Sequence, residues 1–205
     1  MGIITEISCQ KNKKRVNIFV DSEFVSGLSF ETAVKYGLKT GKKIDQQELE
    51  QIIQESEALS AFSAGLNLLS SSSKTSKELK EKLVSKGFSE NIAEQAITKL
   101  TEYKYIDDLA FAKSYVKSFS NKSKRELESK LKNKGIAFEF ISEALETIDD
   151  TDEKDNAVDC ARKYMRSKIW NEKTKNNLFA SLARKGFGLE TIYYAMDAIK
   201  KEMDE

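Results

Sequence analysis

The sequence predicts a mainly α protein: three tandem three-helix repeats stacked into an elongated, curved rod, with a small β-containing appendage at the N-terminus. Three observations predict it. Segments beginning at Ser76, Lys124 and Lys175 superpose without a gap. Apolar residues in them recur at three- and four-residue intervals, the period of one helix face. The chain has no proline, which suits long uninterrupted helices. A repeat of this size cannot bury its apolar face alone, so neighbours complete each other by stacking.

The N-terminal appendage, residues 1–50, reads differently. Ile3–Ile7 and Arg15–Val20 alternate apolar and polar residues as short strands do, with QKNKK between them as a hairpin turn. Phe24–Leu28 supplies a third strand, and a short helix follows over Ser29–Tyr36. The stretch GLKTGKKI is a turn, after which Asp45 caps a helix from Gln46 to Ile53.

The three repeats occupy 55–105, 106–150 and 151–205, and each opens with a longer helix. Leu59, Phe62, Leu66 and Leu69 mark the first of these; Leu109, Ala112, Val116 and Phe119 repeat the spacing fifty residues later. Ala157, Cys160, Ala161, Tyr164 and Met165 form a looser third version. The SSSSK run at 70–74 lies inside the first repeat and reads as a helix-to-helix loop.

The second helix of each repeat is anchored on Gly87, Gly135 and Gly186. Leucines stand four and eight residues before each glycine, and Phe88, Ile136 or Phe187 stands directly after it. A glycine there takes positive φ at little cost, and the flanking apolar pair is that of a Schellman ending. Thr75 with Glu78 and Ser123 with Glu126 have capping-box spacing; Thr174 with Asn177 keeps half of it. The third helix then buries the positions 6, 9, 10 and 13 residues after the glycine, with Ala96, Ala144 and Ala195 at the ninth.

Composition excludes several function classes. With no histidine there is no Ser-His-Asp or Cys-His nucleophile and no histidine-ligated metal. Cys9 and Cys160 are too few and too far apart for a disulfide framework or a cysteine metal site. There is no P-loop. The run Asp149, Asp150, Asp152, Glu153, Asp155 lacks the EF-hand spacing and reads as a solvated acidic turn. No apolar run reaches membrane-spanning length, and the N-terminus lacks a signal-peptide core, so a cytosolic protein without cofactors is expected. The net charge of +1 conceals segregation: residues 71–135 carry +6, 136–160 carry −8 and 161–190 carry +6. Such blocks fit a partner that presents both signs, and they also arise by chance in a highly charged helical chain.

Tandem units with L-x3-L-x3-G-[FI], together with Tyr105-Ile106-Asp107-Asp108 followed by Phe111-Ala112, resemble the RecX family of recombination regulators. The likeness covers roughly 55–205, and residues 1–50 resemble the N-terminal extension of some members. Two departures stand out. Lys104 occupies the place before the tyrosine where the family often has glycine, and Ser70–Lys74 replaces a frequent basic cluster. The resemblance implies a non-enzymatic negative regulator of homologous recombination and DNA repair, linked to the SOS response. Such a protein binds the RecA–single-stranded-DNA filament, inhibits ATPase, strand-exchange and co-protease activities, and blocks filament growth or promotes disassembly. A monomer with only weak single- or double-stranded DNA binding of its own is expected. The alternative is a helical repeat that competes for DNA directly, against which the near-zero net charge weighs.

Lys86, Lys134 and Lys185 precede the repeat glycines, and Arg184 adds a second charge in the third copy. Cations there complement the helix macrodipole; the other reading is a shared row facing filament or DNA. Lys124, Arg125 and Lys130 belong to the densest basic stretch, Arg162 and Arg166 to the next, and both are assigned to the partner-facing surface. In Tyr105–Asp108 one aspartate N-caps the next helix while Tyr105 and Ile106 pack as its staple. Trp170, Tyr193 and Tyr194 read as core aromatics, with base stacking as the less favoured role.

Overall fold

The computed structural model describes residues 1–11, 14–119 and 121–204, and among them holds four strands and ten helices. The chain divides into two compact units, Met1–Lys74 with Glu78–Ile106, and Thr75–Lys77 with Asp107–Glu205.

The first unit begins with β1 (Gly2–Cys9), β2 (Arg15–Val20), β3 (Glu23–Ser29) and the two-residue β4 (Lys43–Ile44). They form one antiparallel sheet in the order β3-β2-β1-β4. The β1–β2 turn lies partly outside the described residues, but Gln10 N donates to Arg15 O across its base. Asp21 and Ser22 join β2 to β3 with φ of 49° and 71°, the twist a two-residue hairpin requires. Alternation does its work here: Ile4, Val16, Ile18 and Leu28 point inward and are almost completely buried.

Between β3 and β4 lies α1 (Phe30–Lys35), capped by Ser29. Asp45 caps α2 as expected, accepting from Gln47 N, but α2 (Gln46–Ser71) does not end at Ile53. It runs 26 residues without a break, because QESEALSAF offers neither proline nor glycine to stop it. Its first half adds Leu49 and Ile52 to the core of the sheet. Its second half packs Ala58, Ala61 and Phe62 on α3 (Ser76–Ser85) and α4 (Glu90–Glu102), in a core with Leu79, Leu83, Ala96 and Leu100. Small residues take the closest approach, and the expected leucines flank it. A Cβ on Gly65 would lie 2.7 Å from Leu100 Cδ1.

The second unit contains α5 (Asp108–Ser118), α6 (Lys124–Asn133) and α7 (Phe138–Leu145), then α8 (Asp150–Met165), α9 (Glu172–Arg184) and α10 (Leu189–Asp204). Each triplet has its own apolar cluster. Leu127, Leu131, Ile141, Ala144 and Ile148 centre one; Leu178, Leu182, Ile192, Ala195 and Ile199 centre the other. The positions 6, 9 and 13 after each repeat glycine are buried in all three copies.

The glycine stops have the expected geometry. Gly87, Gly135 and Gly186 have φ of 95°, 79° and 89°. Phe88, Ile136 and Phe187 N donate to the carbonyls of Leu83, Leu131 and Leu182, the long-range bond of a Schellman ending. Helix α4 ends the same way, with Tyr105 N on Leu100 O and Lys104 N on Thr101 O. There Lys104 itself takes the positive φ, 59°.

Two expectations need correction. The acidic run 149–155 is not a turn but the start of α8: Asp149 caps it through Asp152 N, and the following carboxylates line its positive end. In the third repeat the cap is Asn171, three residues earlier than Thr174, which becomes the reciprocal N3 partner of a capping box.

Candidate partner interface

The second and third repeats meet at a small polar joint. Ser123, fully buried, accepts from Glu126 N as the cap of α6 and donates through Oγ to Lys185 O at 2.5 Å. Lys124 N donates to Glu153 Oε1 at 3.3 Å. The stem of Arg125 lies over Gly186, where an added Cβ would be 3.1 Å from Arg125 Cβ. Residues 75–77, at the equivalent place one repeat earlier, make the same three contacts. Thr75 Oγ1 donates to Lys134 O at 2.7 Å, Ser76 N to Asp108 Oδ1 at 2.9 Å, and Lys77 covers Gly135. An added Cβ on Gly135 would sit 2.6 Å from Lys77 Cβ. Gly87, by contrast, has nothing within 4 Å of that point.

The joint sorts the basic residues. The stem of Arg125 is brought against Gly186, next in the chain to Arg184 and Lys185, and all three cations are exposed. Arg184 Nε touches only the Ala180 carbonyl, and neither Arg125 nor Lys185 has an ion pair among the described residues. Other candidates are engaged. Arg162 binds both oxygens of Glu202, at 3.1 and 2.6 Å, and Asp159 at 2.7 Å; its guanidinium holds the Glu202 carboxyl below the usual carboxylate range. Lys124 Nζ faces Asp150 at 3.4 Å, and Lys130 faces Glu126 at 3.8 Å. Lys134 Nζ is folded over the Phe111 and Tyr115 rings, 5.4 and 5.8 Å from their centroids. Lys86, in the first unit, and Arg166, at the end of α8, are exposed.

Three family models match the chain: the regulatory protein RecX N-terminal domain over residues 2–45, the first RecX three-helix domain over 61–100 and the second over 107–145. The regulatory protein RecX of Bacillus subtilis is 34% identical, across 100% of this chain and 80% of its own length. That of Clostridium tetani is 35% identical over 88% of this chain and 85% of its own. The chain belongs to the RecX family. A crystal structure of regulatory protein RecX superposes with a TM-score of 0.75 at 25% identity, covering 96% of this chain and all of the other. The crystal structure of RecX from Lactobacillus salivarius gives 0.62 at 28% identity over 72% of this chain and 97% of the other.

RecX is thus a regulatory family built of three-helix domains, and the segment that carries the likeness is structural at its centre. Asp107 caps α5 through Ala110 N, Asp108 holds the Ser76 amide, and Ile106 is buried. Tyr105 is not packed as a staple. It is 56% exposed, and with Tyr103 it meets the ring of Phe62 edge-on, at centroid distances of 6.4 and 6.0 Å. Tyr193 and Tyr194, read as core, are likewise exposed, and of the three aromatics Trp170 alone packs on the third-repeat core. The joint escaped the sequence reading, although a signal for it exists. A hydroxyl stands 12 residues before each glycine, and a cation 10 before Gly87 and Gly135 (Lys77 and Arg125) gives way to Asn176 before Gly186. Among the described residues no cluster could hold a metal ion, and no helix is long and apolar enough to cross a membrane.

Proposed function

We propose that this RecX-family chain binds the RecA filament assembled on single-stranded DNA and inhibits its ATPase, strand-exchange and co-protease activities, by blocking filament growth or promoting disassembly. It acts as a cytoplasmic monomer and without a cofactor. Family membership supports the regulatory role. The observation that carries the choice of surface is the packing of the Arg125 stem on Gly186, beside Arg184 and Lys185, at the joint between the second and third repeats, all three exposed and without a carboxylate partner among the described residues. Arg166, exposed at the end of α8, and Lys86, exposed in the first unit, are further partner contacts in the proposal. Lys124, Lys130, Lys134 and Arg162 contribute less, because each is already held by a carboxylate or a ring.

Charge supports a protein-bound target over naked DNA. A dedicated DNA-binding domain carries a strong basic excess, whereas this chain nets +1 and interposes the −8 block of 136–160. A filament presents acidic and basic protein surface beside phosphate, and several weak contacts on linked repeats add through effective concentration.

The test is a titration of the single-stranded-DNA-dependent ATPase of the cognate RecA, with a mobility shift on the same DNA without RecA. Substoichiometric inhibition with little shift is expected. Inhibition that appears only when the DNA itself is saturated would replace this reading with competition for DNA. Charge reversal at Arg125 and Lys185 should weaken inhibition at unchanged circular dichroism. Reversal at Arg162 should act mainly on stability, since it breaks the pairs to Glu202 and Asp159.

A further inference from the structure

One corner of the N-terminal sheet opens into a groove of about 510 Å³, between the β2–β3 hairpin and the start of α2. Ile44 and Leu49 of the sheet core form its floor, and Phe24 and Val25 form an exposed wall. Asp21, Glu23 and Asp45 stand at its rim, all three exposed. We infer that this corner docks a partner protein through a short extended segment carrying apolar and basic side chains, the first entering the groove and the second meeting the rim.

Charge selects the class of partner. Residues 1–43 contain eight Lys and Arg against four Asp and Glu, yet among the described residues no Lys or Arg lines the groove. The Met1 ammonium is the one cation there, against three carboxylates. Asp21 accepts from Ile3 N at 3.0 Å and Asp45 from Gln47 N at 3.2 Å, which fixes both in place. The Glu23 carboxylate has neither a hydrogen bond nor an ion pair among the described residues. An anionic membrane or a nucleic acid would meet like charge at this corner, whereas lysine and arginine are drawn to it.

Shape selects an extended chain. Strand β3 lies at an edge of the sheet. Its last residues are covered, because Arg15 donates to Gly27 O and Ser29 N donates to Ser56 Oγ of α2. Its first residues, Glu23–Val25, are exposed, and among the described residues no group outside the sheet hydrogen-bonds to them. An open edge of this kind accepts an added strand, and pockets beside it select the side chains. Phe24 is 59% exposed and rests edge-on against Phe19, 5.7 Å between centroids, so it is a supported aromatic anchor at the mouth. Long basic side chains reach the rim from either face of such a segment.

The full chain, without RecA, is titrated against a labelled, end-blocked peptide of alternating lysine and valine, read by fluorescence anisotropy. Saturable binding that weakens with salt is expected. Phe24→Ala should weaken it by about tenfold, as loss of an aromatic anchor does, while Phe24→Tyr should bind as the parent does. Glu23→Lys should weaken it by about fivefold at unchanged circular dichroism, the effect of an exposed ion pair lost. The same peptide N-methylated on its backbone amides should fail to compete, because it cannot donate to the β3 edge. Four results overturn the inference: no binding, equal affinity for a peptide of alternating glutamate and valine, full competition by the N-methylated peptide, or affinity unchanged in both Phe24→Ala and Glu23→Lys. Dimerisation of the chain alone that is lost in Phe24→Ala would put a second copy in the groove and overturn it as well. None of these results bears on inhibition of RecA, so this inference and the filament reading fail separately.

Discussion

The sheet and the first repeat are joined by a shared helix, whereas the second and third repeats are joined by two hydrogen bonds, the Lys124–Asp150 ion pair and the stem of Arg125 packed over Gly186. Helix α2 gives Leu49 and Ile52 to one core and Ala58 and Ala61 to the next, so the two cores cannot rotate against each other without breaking backbone hydrogen bonds. At the other connection, the apolar clusters around Leu131 and Leu182 stay separate. There a buried hydroxyl, a backbone amide and a glycine carry the registration. The difference teaches how a repeat chain obtains order cheaply: apolar burial makes each repeat, and a few directional bonds set its angle to the next.

The strongest way to break this comparison is Ile52→Ala. Ile52 is completely buried, and its loss should cost about 2–5 kcal/mol in urea unfolding. If α2 couples the cores, amides of β2 and of α4 should lose hydrogen-exchange protection together. Loss confined to the sheet would show that the shared helix does not transmit.

Glycine substitutions sharpen the other side. Gly87→Ala meets open space and should cost about 1–2 kcal/mol for its positive φ alone. Gly135→Ala has the same φ demand and also collides with Lys77, which should add about 1–3 kcal/mol. Equal thermal shifts in the two variants would mean that the joint is slack.

Next in size, Ser123→Ala should cost about 1–2 kcal/mol, because it removes the cap of α6 and strands the buried side of the Lys185 carbonyl. Exchange should rise locally around 185–187, with the Leu178–Ile199 core still protected. Lys104→Gly should instead stabilise by about 0.5–1 kcal/mol, since it relieves a lysine held at φ 59°. A lower melting temperature would mean that the lysine side chain outweighs the backbone strain.

The smallest effect is one of pH, and it acts on the shared helix. Glu55 of α2 accepts from Lys35 and Tyr36, and these bonds hold its carboxyl below the usual range. A carboxylate lowered in the folded state stabilises above its unfolded pKa and loses that contribution as pH falls through the folded value. Stability should therefore decline slightly in acid, less so at high salt because Lys35 is well exposed, and Glu55→Gln should flatten that decline.

Much of this was legible in residue order. Helix periodicity, the glycines and the apolar residues after them predicted the repeats, the Schellman endings and the buried positions, because local sequence alone sets backbone preference and facing. The length of α2 was not legible as one element, since its two ends serve different cores and so show two different stripes. Tyr193 and Tyr194 were misread because an aromatic residue at helical spacing has the same signature whether its ring faces the core or the solvent.

For the interface, the sequence by itself determined which residues are charged and that they recur before each glycine. Only the tertiary structure decided which of those charges stay free. Arg162 meets Glu202 across 40 residues, Lys134 turns onto Phe111 and Tyr115, and Arg125 is delivered to Arg184 and Lys185 by a glycine 61 positions away. Pairing energies depend on distances in space, and spacing along the chain does not contain them until the repeats have docked.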